Sequence, residues 1–248
     1  MNNKAELGEF DFNAAWDSPT VGSPALIVPN NQCRMQIVFA IDASNSMQGY
    51  KIGAVNDSVN NVLTKLKSLG KKQGSTISVA VIGFASRLFR WTKGFVPVNE
   101  FKFSYVEMAD GLSDWNAFID ELIDLSDHQM EADAKKYVIL YSDGLSTDNC
   151  TDRLCKWSKT GLYKDITKVV VAFDEDLKDP QSMGLFREFV DGGDIILISD
   201  QEKLLSLVLT QINSSSSDSQ KEETYDYEPA GPMLMGDIAI DDDLVFDW

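Results

Sequence analysis

The chain has 248 residues with 39 acidic and 22 basic side chains, which gives a net charge of −17 and an isoelectric point near 4.3. So acidic a chain is a poor candidate for binding nucleic acid or a membrane surface, because both need clusters of Lys and Arg. No segment approaches the roughly 18 apolar residues of a membrane-spanning helix. With one histidine and three cysteines, the composition also disfavours His-based zinc sites and a disulfide framework.

The acidic residues are concentrated near the C-terminus. Residues 213–248 contain ten acidic residues and one lysine, and they begin with a Ser-rich stretch that is typical of flexible linkers. We therefore divide the chain into an N-terminal extension at 1–32, a globular domain at 33–212 and a flexible acidic tail at 213–248. The N-terminal residues lack the apolar core of a signal peptide, so we expect a cytoplasmic protein.

Two kinds of pattern alternate along the central residues. Short apolar runs predict strands, and apolar residues that recur every three to four positions predict amphipathic helices. In chain order the predicted elements are a strand at 35–42, a helix at 51–69 that ends at Gly70, strands at 77–84 and 88–91, a helix at 116–125, a strand at 137–141, a helix at 153–158, a strand at 169–173, a helix at 183–190, a strand at 195–198 and a helix at 204–212.

This alternation predicts the fold class. Continuously apolar strands are buried on both faces, as they are in a parallel sheet that helices cover from both sides. We therefore expect a doubly wound, Rossmann-like α/β domain with a mostly parallel central sheet. In such domains ligands bind beyond the carboxyl ends of the strands, so residues at strand ends are the first candidates for a functional site.

Oxygen-bearing side chains follow two of the predicted strands and lie on a loop between them. The first strand ends in Asp42, and Ser44 and Ser46 come two and four residues later. A later strand is followed by Asp143, and Ser113 lies on a loop that leads into a helix. Few carboxylates combined with neutral oxygens suit a hard divalent cation such as Mg²⁺, which also retains water ligands.

The Asp-x-Ser-x-Ser motif, with a hydroxyl on a second loop and an Asp on a third, resembles the von Willebrand factor A family. The resemblance extends over about 35–212 and implies a metal-ion-dependent adhesion site. It implies that Mg²⁺ or Mn²⁺ is bound, directly or through water, by Asp42, Ser44, Ser46, Ser113 and Asp143. The metal would accept a carboxylate from a partner protein. Ser113 stands where the family usually has Thr, so the hydroxyl is kept but the methyl group that restricts χ1 is lost.

Each of these residues also has an alternative explanation. Ser44 and Ser46 could cap the helix that follows, and Asp143-Gly144 is a common turn dipeptide. We favour a metal site because the residues occur together, in order and at strand ends. A metal-dependent hydrolase that uses Asp42 is a further alternative, but Ser44 replaces the second Asp of an Asp-x-Asp motif, and no general base is visibly placed. We therefore expect a binding module and not an enzyme.

Two further groups of residues are candidates for contacting a partner protein. Trp115 lies beside Ser113, where its ring could be an interaction hot spot at the rim of the metal site or could pack beneath the loop. The tail ends in acidic and alternating apolar residues that suit docking on a partner as an added strand, and the alternative is that the tail folds back on its own domain. The tail candidates are Asp241, Asp242, Asp243, Leu244, Phe246 and Trp248. The three Asp residues could also occupy the metal of their own domain and so block a partner.

Because it lacks a signal peptide, the chain resembles the intracellular bacterial branch of the family, the TerY-like proteins linked to tellurium resistance and stress responses. That resemblance implies an adaptor in a phosphorylation-signalling system, with a metal-dependent (PP2C-type) protein phosphatase and a Ser/Thr kinase as candidate partners. A second interpretation is an adaptor for a chelatase-like AAA-type ATPase. Neither interpretation involves nucleic acid or a membrane.

Overall fold

The computed structural model describes residues 34–73, 76–107 and 109–217. Within these ranges the chain forms a seven-stranded sheet with helices on both faces. The strands are β1 (Arg34–Asp42), β2 (Thr76–Phe84), β3 (Leu88–Arg90), β4 (Val96–Pro97), β5 (Lys135–Tyr141), β6 (Ile166–Ala172) and β7 (Asp194–Leu197). The helices are α1 (Tyr50–Gln73), α2 (Trp115–His128), α3 (Thr151–Trp157), α4 (Pro180–Val190) and α5 (Gln201–Ser217).

The sheet is mostly parallel, with β1 inside it. The strand order is β3-β2-β1-β5-β6-β7, and β4 also pairs with β2. The pairs among β1, β2, β5, β6 and β7 are parallel, whereas β3 and β4 run antiparallel to β2. Apart from its first residue, β1 is buried along its whole length because helices cover both faces of the sheet. The prediction of a doubly wound, mostly parallel α/β domain is confirmed.

Successive residues of a strand point to opposite faces of the sheet, so β1 contributes to two separate cores. Ile37, Phe39 and Ile41 pack in the core that contains the apolar residues of α1 and α5. Val38 and Ala40 pack on the other face with α2, α3 and α4. Because both faces are covered, the loops at the carboxyl ends of the strands are the place where a site can be exposed.

Several elements are longer than their sequence patterns indicate. α1 continues through Gly70, where the sequence pattern predicts its end. A glycine inside a helix costs about 1 kcal/mol, and the burial of residues such as Val59 and Leu66 on the same helix supplies more than that. The strand β4 has no counterpart among the predicted elements, because two residues are too few to show an alternating pattern.

The ends of the chain lie outside the described residues. Nothing described tests the predicted extension at 1–32 or the tail from 218 onward. α5 continues to Ser217, past the helix end predicted at 212, so the beginning of the Ser-rich stretch belongs to a helix and not to a linker. None of the helices in the described ranges combines the length and the apolar character that crossing a membrane requires.

Candidate metal centre

Three loops meet beyond the carboxyl ends of β1 and β5. Ile41 of β1 pairs with Tyr141 of β5, so Asp42 and Ser142 leave the sheet side by side. The loop that carries Ser113 lies directly before α2 and reaches the same point. The alternation of parallel strands and helices thus brings distant parts of the sequence to one edge of the sheet.

Hydrogen bonds hold the three loops together. The N–H of Asn45 in the first loop donates to the carbonyl of Gly111 in the second at 2.9 Å. The hydroxyl of Thr147 in the third loop donates to the carbonyl of Ser113 at 2.9 Å. The carboxylate of Asp148 accepts hydrogen bonds from the N–H groups of the first two residues of α2. These contacts restrict the positions from which the side chains enter the site.

The side chain of Asp42 is the centre of the arrangement. It is completely buried, and its Oδ1 accepts a hydrogen bond from the N–H of Ser44 at 3.0 Å. Its Oδ2 accepts hydrogen bonds from the hydroxyls of Ser113 at 3.0 Å and Ser142 at 2.8 Å. The Oγ atoms of Ser44 and Ser46 are 3.2 Å apart. Four of the five predicted ligands are therefore linked by direct hydrogen bonds.

The environment of Asp42 favours a cation nearby. Burial raises the pKa of the Asp42 carboxyl to about 6, and the neighbouring Asp143 adds to the shift, whereas hydrogen bonds from Ser44 and Ser142 oppose it. A carboxylate that has lost its contact with water is stabilised when a positive charge takes the place of the solvent.

Asp143, the fifth predicted ligand, also contacts a lysine. Its buried carboxylate accepts a hydrogen bond from the N–H of Leu145 at 3.2 Å and lies 3.2 Å from the Nζ of Lys51. The same Nζ lies 2.8 Å from Oδ1 of Asp176. The site therefore contains three acidic side chains, Asp42, Asp143 and Asp176, and one ammonium group.

Lys51 and Asp176 are missing from the predicted set of site residues. Asp176 follows β6, whose carboxyl end lies at the same edge of the sheet, so the argument from strand ends that selected Asp143 could have selected it. Lys51 carries no such signal. It is the second residue of α1, and its two partners are 92 and 125 residues away in the chain.

The donor set fits a hard divalent cation only if the serine hydroxyls take part. Among the described residues, no group of three or more His, Cys, Asp or Glu side chains is arranged to hold a metal ion. Two carboxylates and three hydroxyls would remain as ligands, which is a combination that suits Mg²⁺ better than Zn²⁺. The residues that could hold such an ion are Asp42, Ser44, Ser46, Ser113 and Asp143.

The structure corrects the prediction that Trp115 contacts a partner. The indole is completely buried and packs edge-to-face against Phe84, Phe118 and Phe189. Trp115 begins α2, and the inward face of that helix directs its large side chain into the core beneath the loop. The tail candidates at 241–248 lie outside the described residues.

A groove of about 960 Å³ lies beside the first two loops. One wall is formed by β3, and Ala43 and Gly111 line it next to the site. Arg87 also lines the groove, and this exposed side chain forms no salt bridge within the described ranges. The acidic residues Glu107 and Asp110 are part of the lining as well. The groove thus offers an apolar wall and charges of both signs within reach of the loops.

Comparisons with known proteins agree on the fold. The model of the von Willebrand factor type A domain matches residues 36–185. A von Willebrand factor type A structure from Catenulispora acidiphila aligns with a TM-score of 0.52 and 17% identity, covering 74% of this chain and 43% of that one. The pilus adhesin SpaC from Lactobacillus rhamnosus GG aligns with a TM-score of 0.52 and 16% identity, covering 76% of this chain and 30% of the adhesin.

An aerotolerance-related membrane protein from Bacteroides fragilis aligns with a TM-score of 0.50 and 14% identity, covering 73% of this chain and 99% of that one. No curated protein sequence matches the chain. At such low identities the structural matches show the fold alone, and the chain spans less than half of the Catenulispora protein and of the adhesin. The family model covers more than half of the 248 residues. The chain therefore belongs to the von Willebrand factor type A domain family, whose members often mediate protein–protein interactions.

Proposed function

We propose that this domain is a non-enzymatic, metal-dependent module for protein–protein interaction. The observation that carries the proposal is the buried carboxylate of Asp42, which accepts hydrogen bonds from hydroxyls on two other loops. Ser44 and Ser46 add two more hydroxyls from the loop that follows β1. Oxygen atoms from three loops thus converge at one edge of the sheet, and such a donor set favours Mg²⁺ or Mn²⁺.

The proposed ligands are Asp42, Ser44, Ser46, Ser113 and Asp143, directly or through water. When bound, the cation would supply a Lewis acid able to accept a carboxylate from a partner protein. The chain's own residues fix the donors in place through the hydrogen bonds between loops. Because only two of the five ligands are charged, a divalent cation would keep much of its attraction for an additional carboxylate.

The groove beside the loops supports this proposal. A partner that presents a carboxylate to the cation would bring neighbouring residues against β3 and Arg87. An apolar wall with an exposed guanidinium group suits a segment that combines acidic and apolar side chains. We therefore propose that the partner contributes such a segment and not an isolated carboxylate.

For the cellular role, we propose a cytoplasmic adaptor in a bacterial stress or phosphorylation-signalling system of the tellurium-resistance type. The resemblance of the sequence to the TerY-like branch supports this assignment. The candidate partners are a PP2C-type phosphatase and a Ser/Thr kinase, and an AAA-type ATPase is the alternative. The identity of captured partners distinguishes these roles.

A metal-dependent hydrolase has less support. Within hydrogen-bond distance of the Asp42 carboxylate lie serine hydroxyls and a backbone N–H, none of which is an effective general base at neutral pH. Lys51 donates to two carboxylates and so has no position from which to accept a proton from a nucleophile. We expect the purified chain to show no phosphatase or esterase activity with Mg²⁺ or Mn²⁺.

Affinity capture from the native host tests the proposal. The full chain is used as bait in buffer with Mg²⁺ or with EDTA, and mass spectrometry identifies the bound proteins. Asp42→Ala removes the central ligand, and Asp133→Ala removes an exposed carboxylate before β5, at the opposite edge of the sheet. Circular dichroism checks that both variants are folded.

We expect a set of partners that bind in Mg²⁺ to the wild type and to Asp133→Ala, and that are lost with EDTA and with Asp42→Ala. Partners that remain bound under both of the latter conditions would overturn the metal-bridged interaction. Their binding would then have to use another surface of the chain.

A further inference from the structure

The ammonium group of Lys51 lies between two buried carboxylates at the candidate metal centre. Its Nζ is 3.2 Å from Oδ2 of Asp143 and 2.8 Å from Oδ1 of Asp176. The three side chains are 12%, 0% and 8% exposed, so water screens these contacts poorly. Nζ also lies 5.3 Å from the ring centre of Phe173, which holds the lysine against the end of β6.

Asp176 has bonding capacity that the described residues do not use. It begins a short 3₁₀ helix, Asp176–Lys178, that follows β6. One of its carboxylate oxygens, Oδ2, is buried and accepts no hydrogen bond from any described residue. Burial raises the pKa of Asp176, and the contact with Lys51 opposes that shift. A buried oxygen without a partner is costly, so this carboxylate is set to accept more positive charge than it now receives.

The two carboxylates that share Lys51 differ in their relation to the proposed metal. Asp143 is a predicted ligand and contributes to the raised pKa of Asp42, so it lies close to the centre of the site. Asp176 is not among the predicted ligands, and it makes the shorter contact with the ammonium group. A divalent cation bound by Asp143 would repel an ammonium group that contacts the same carboxylate.

We propose that Lys51 is an internal cation that competes with the divalent metal for Asp143, and that Asp176 is the residue that takes up the ammonium group when the metal binds. This inference rests on the proposed function, because it requires that the site binds a divalent cation. Lys51 then lowers the affinity for the metal, and Asp176 limits that loss by holding the lysine away from Asp143. Both are positioning residues and not ligands.

The binding of Mg²⁺ alone to the purified full chain, measured by isothermal titration calorimetry, tests the inference. Lys51→Gln removes the competing charge, and we expect it to tighten Mg²⁺ binding roughly ten-fold. Asp176→Asn leaves Lys51 with Asp143 as its one charged partner in the site, and we expect it to weaken binding roughly ten-fold. Lys178→Gln is the matched control, because Lys178 is an exposed lysine near the site that pairs with Asp174.

The double variant Lys51→Gln/Asp176→Asn distinguishes whether Asp176 acts through Lys51 or binds the metal itself. If Asp176 acts through the lysine, the double variant binds Mg²⁺ more tightly than Asp176→Asn alone and at least as tightly as the wild type. If the loss caused by Asp176→Asn persists without Lys51, Asp176 is itself a ligand and the inference is wrong. Should Lys51→Gln fail to fold, Asp176→Asn still decides, because unchanged or tighter Mg²⁺ binding by that variant contradicts the inference.

The same titrations distinguish this inference from the function on which it rests. The single variant Asp42→Asn, with no other change, should bind no Mg²⁺. If the wild type binds no Mg²⁺, or if Asp42→Asn binds it as well as the wild type does, both the proposed function and the competition by Lys51 are overturned. Mg²⁺ binding that depends on Asp42 but is unchanged by Lys51→Gln would overturn the competition alone.

Discussion

At the scale of single residues, serine hydroxyls form most of the described hydrogen bonds to the central carboxylate of the site. Asp42 is buried, and two serine hydroxyls donate to its Oδ2, which without them would have neither water nor a described donor. Ser142 has a second role, since its Oγ also accepts a hydrogen bond from the N–H of Gly144. Among the described hydrogen bonds, the hydroxyl of Ser113 forms the one to Asp42 alone, so a substitution there disturbs fewer other contacts.

We predict that Ser113→Ala weakens Mg²⁺ binding about ten-fold, because it removes a proposed ligand and a hydrogen-bond donor to Asp42. Ser126→Ala is the control. Ser126 is equally buried, but its hydroxyl donates to the carbonyl of Leu122 inside α2. Calorimetric titration of both variants is the measurement. Equal effects of the two substitutions on Mg²⁺ affinity would argue against Ser113 as a ligand.

The glycine after Asp143 shows how a single residue shapes the third loop. Gly144 has a φ of +75°, and a Cβ there would lie 2.8 Å from the ring of Phe186 and 2.8 Å from the Cβ of Ser182. Such positions favour glycine both by backbone conformation and by space. The close approach of this loop to α4 therefore depends on the missing side chain.

We predict that Gly144→Ala lowers the free energy of unfolding by about 2–3 kcal/mol, from backbone strain and overpacking together. Gly184→Ala is the matched control in α4, where nothing lies within 4 Å of the added Cβ. There we expect a gain of about 0.5–1 kcal/mol, because Ala is a better helix former than Gly. Urea unfolding of both variants measures the two changes, and a loss of stability in both would contradict the argument.

At the scale of elements, the short edge strand β3 is held to α2 by one ion pair. Nε of Arg90 donates to Oε1 of Glu121 at 2.7 Å, and Nη2 donates to Oε2. Glu121 is 9% exposed at its side chain, whereas Arg90 is 48% exposed. Because β3 forms a wall of the groove, this pair also fixes the shape of the proposed partner surface.

We predict that Arg90→Ala costs about 2 kcal/mol of stability, since it leaves the Glu121 carboxylate buried without its partner. Arg34→Ala provides the comparison, because Arg34 pairs with Glu131 at 2.6 Å but both side chains are about half exposed. Its loss should cost no more than about 1 kcal/mol. The midpoint and slope of chemical unfolding give the free energy of unfolding of each variant. Similar losses for the two variants would show that burial of Glu121 does not matter.

At the scale of the whole molecule, the acidic residues beyond 217 lie outside the described part of the chain. If they behave as the flexible chain that their composition predicts, the ~23 residues before Asp241 span roughly 25–30 Å. A domain of this size is about 30–40 Å across. The carboxylates at 241–243 would thus reach the metal of their own domain at an effective concentration near millimolar.

We predict that deleting 218–248 strengthens metal-dependent partner binding several-fold, because a competing intramolecular carboxylate is removed. The deletion starts after Ser217 so that α5 stays intact. Replacing Asp241, Asp242 and Asp243 with Asn is the narrower control and should have a similar effect. Affinity for a captured partner, measured with Mg²⁺ present, decides the matter, and an unchanged affinity after both changes excludes autoinhibition by these residues.

The fold class and the order of the candidate ligands along the chain follow from sequence patterns alone. Continuously apolar strands between amphipathic helices can be buried only in a covered parallel sheet, which is the observed arrangement. Because parallel strands end at a common edge, the positions of Asp42 and Asp143 after two such strands predict that they lie near each other. These conclusions need only the spacing of apolar residues, which a single sequence contains, and the general rule that parallel strands end at one edge of a sheet.

Which other side chains reach that edge depends on how the helices pack on the sheet, and sequence patterns do not predict this. Trp115 is adjacent to Ser113 in sequence, yet it packs into the core, because the direction of a side chain at the start of a helix depends on how the helix sits on the sheet. Lys51 meets Asp143 and Asp176 across separations of 92 and 125 residues. The spacing of apolar residues indicates which residues face the core, but not which distant residues they contact. The contacts of Lys51 with the two carboxylates therefore could not be predicted from the sequence.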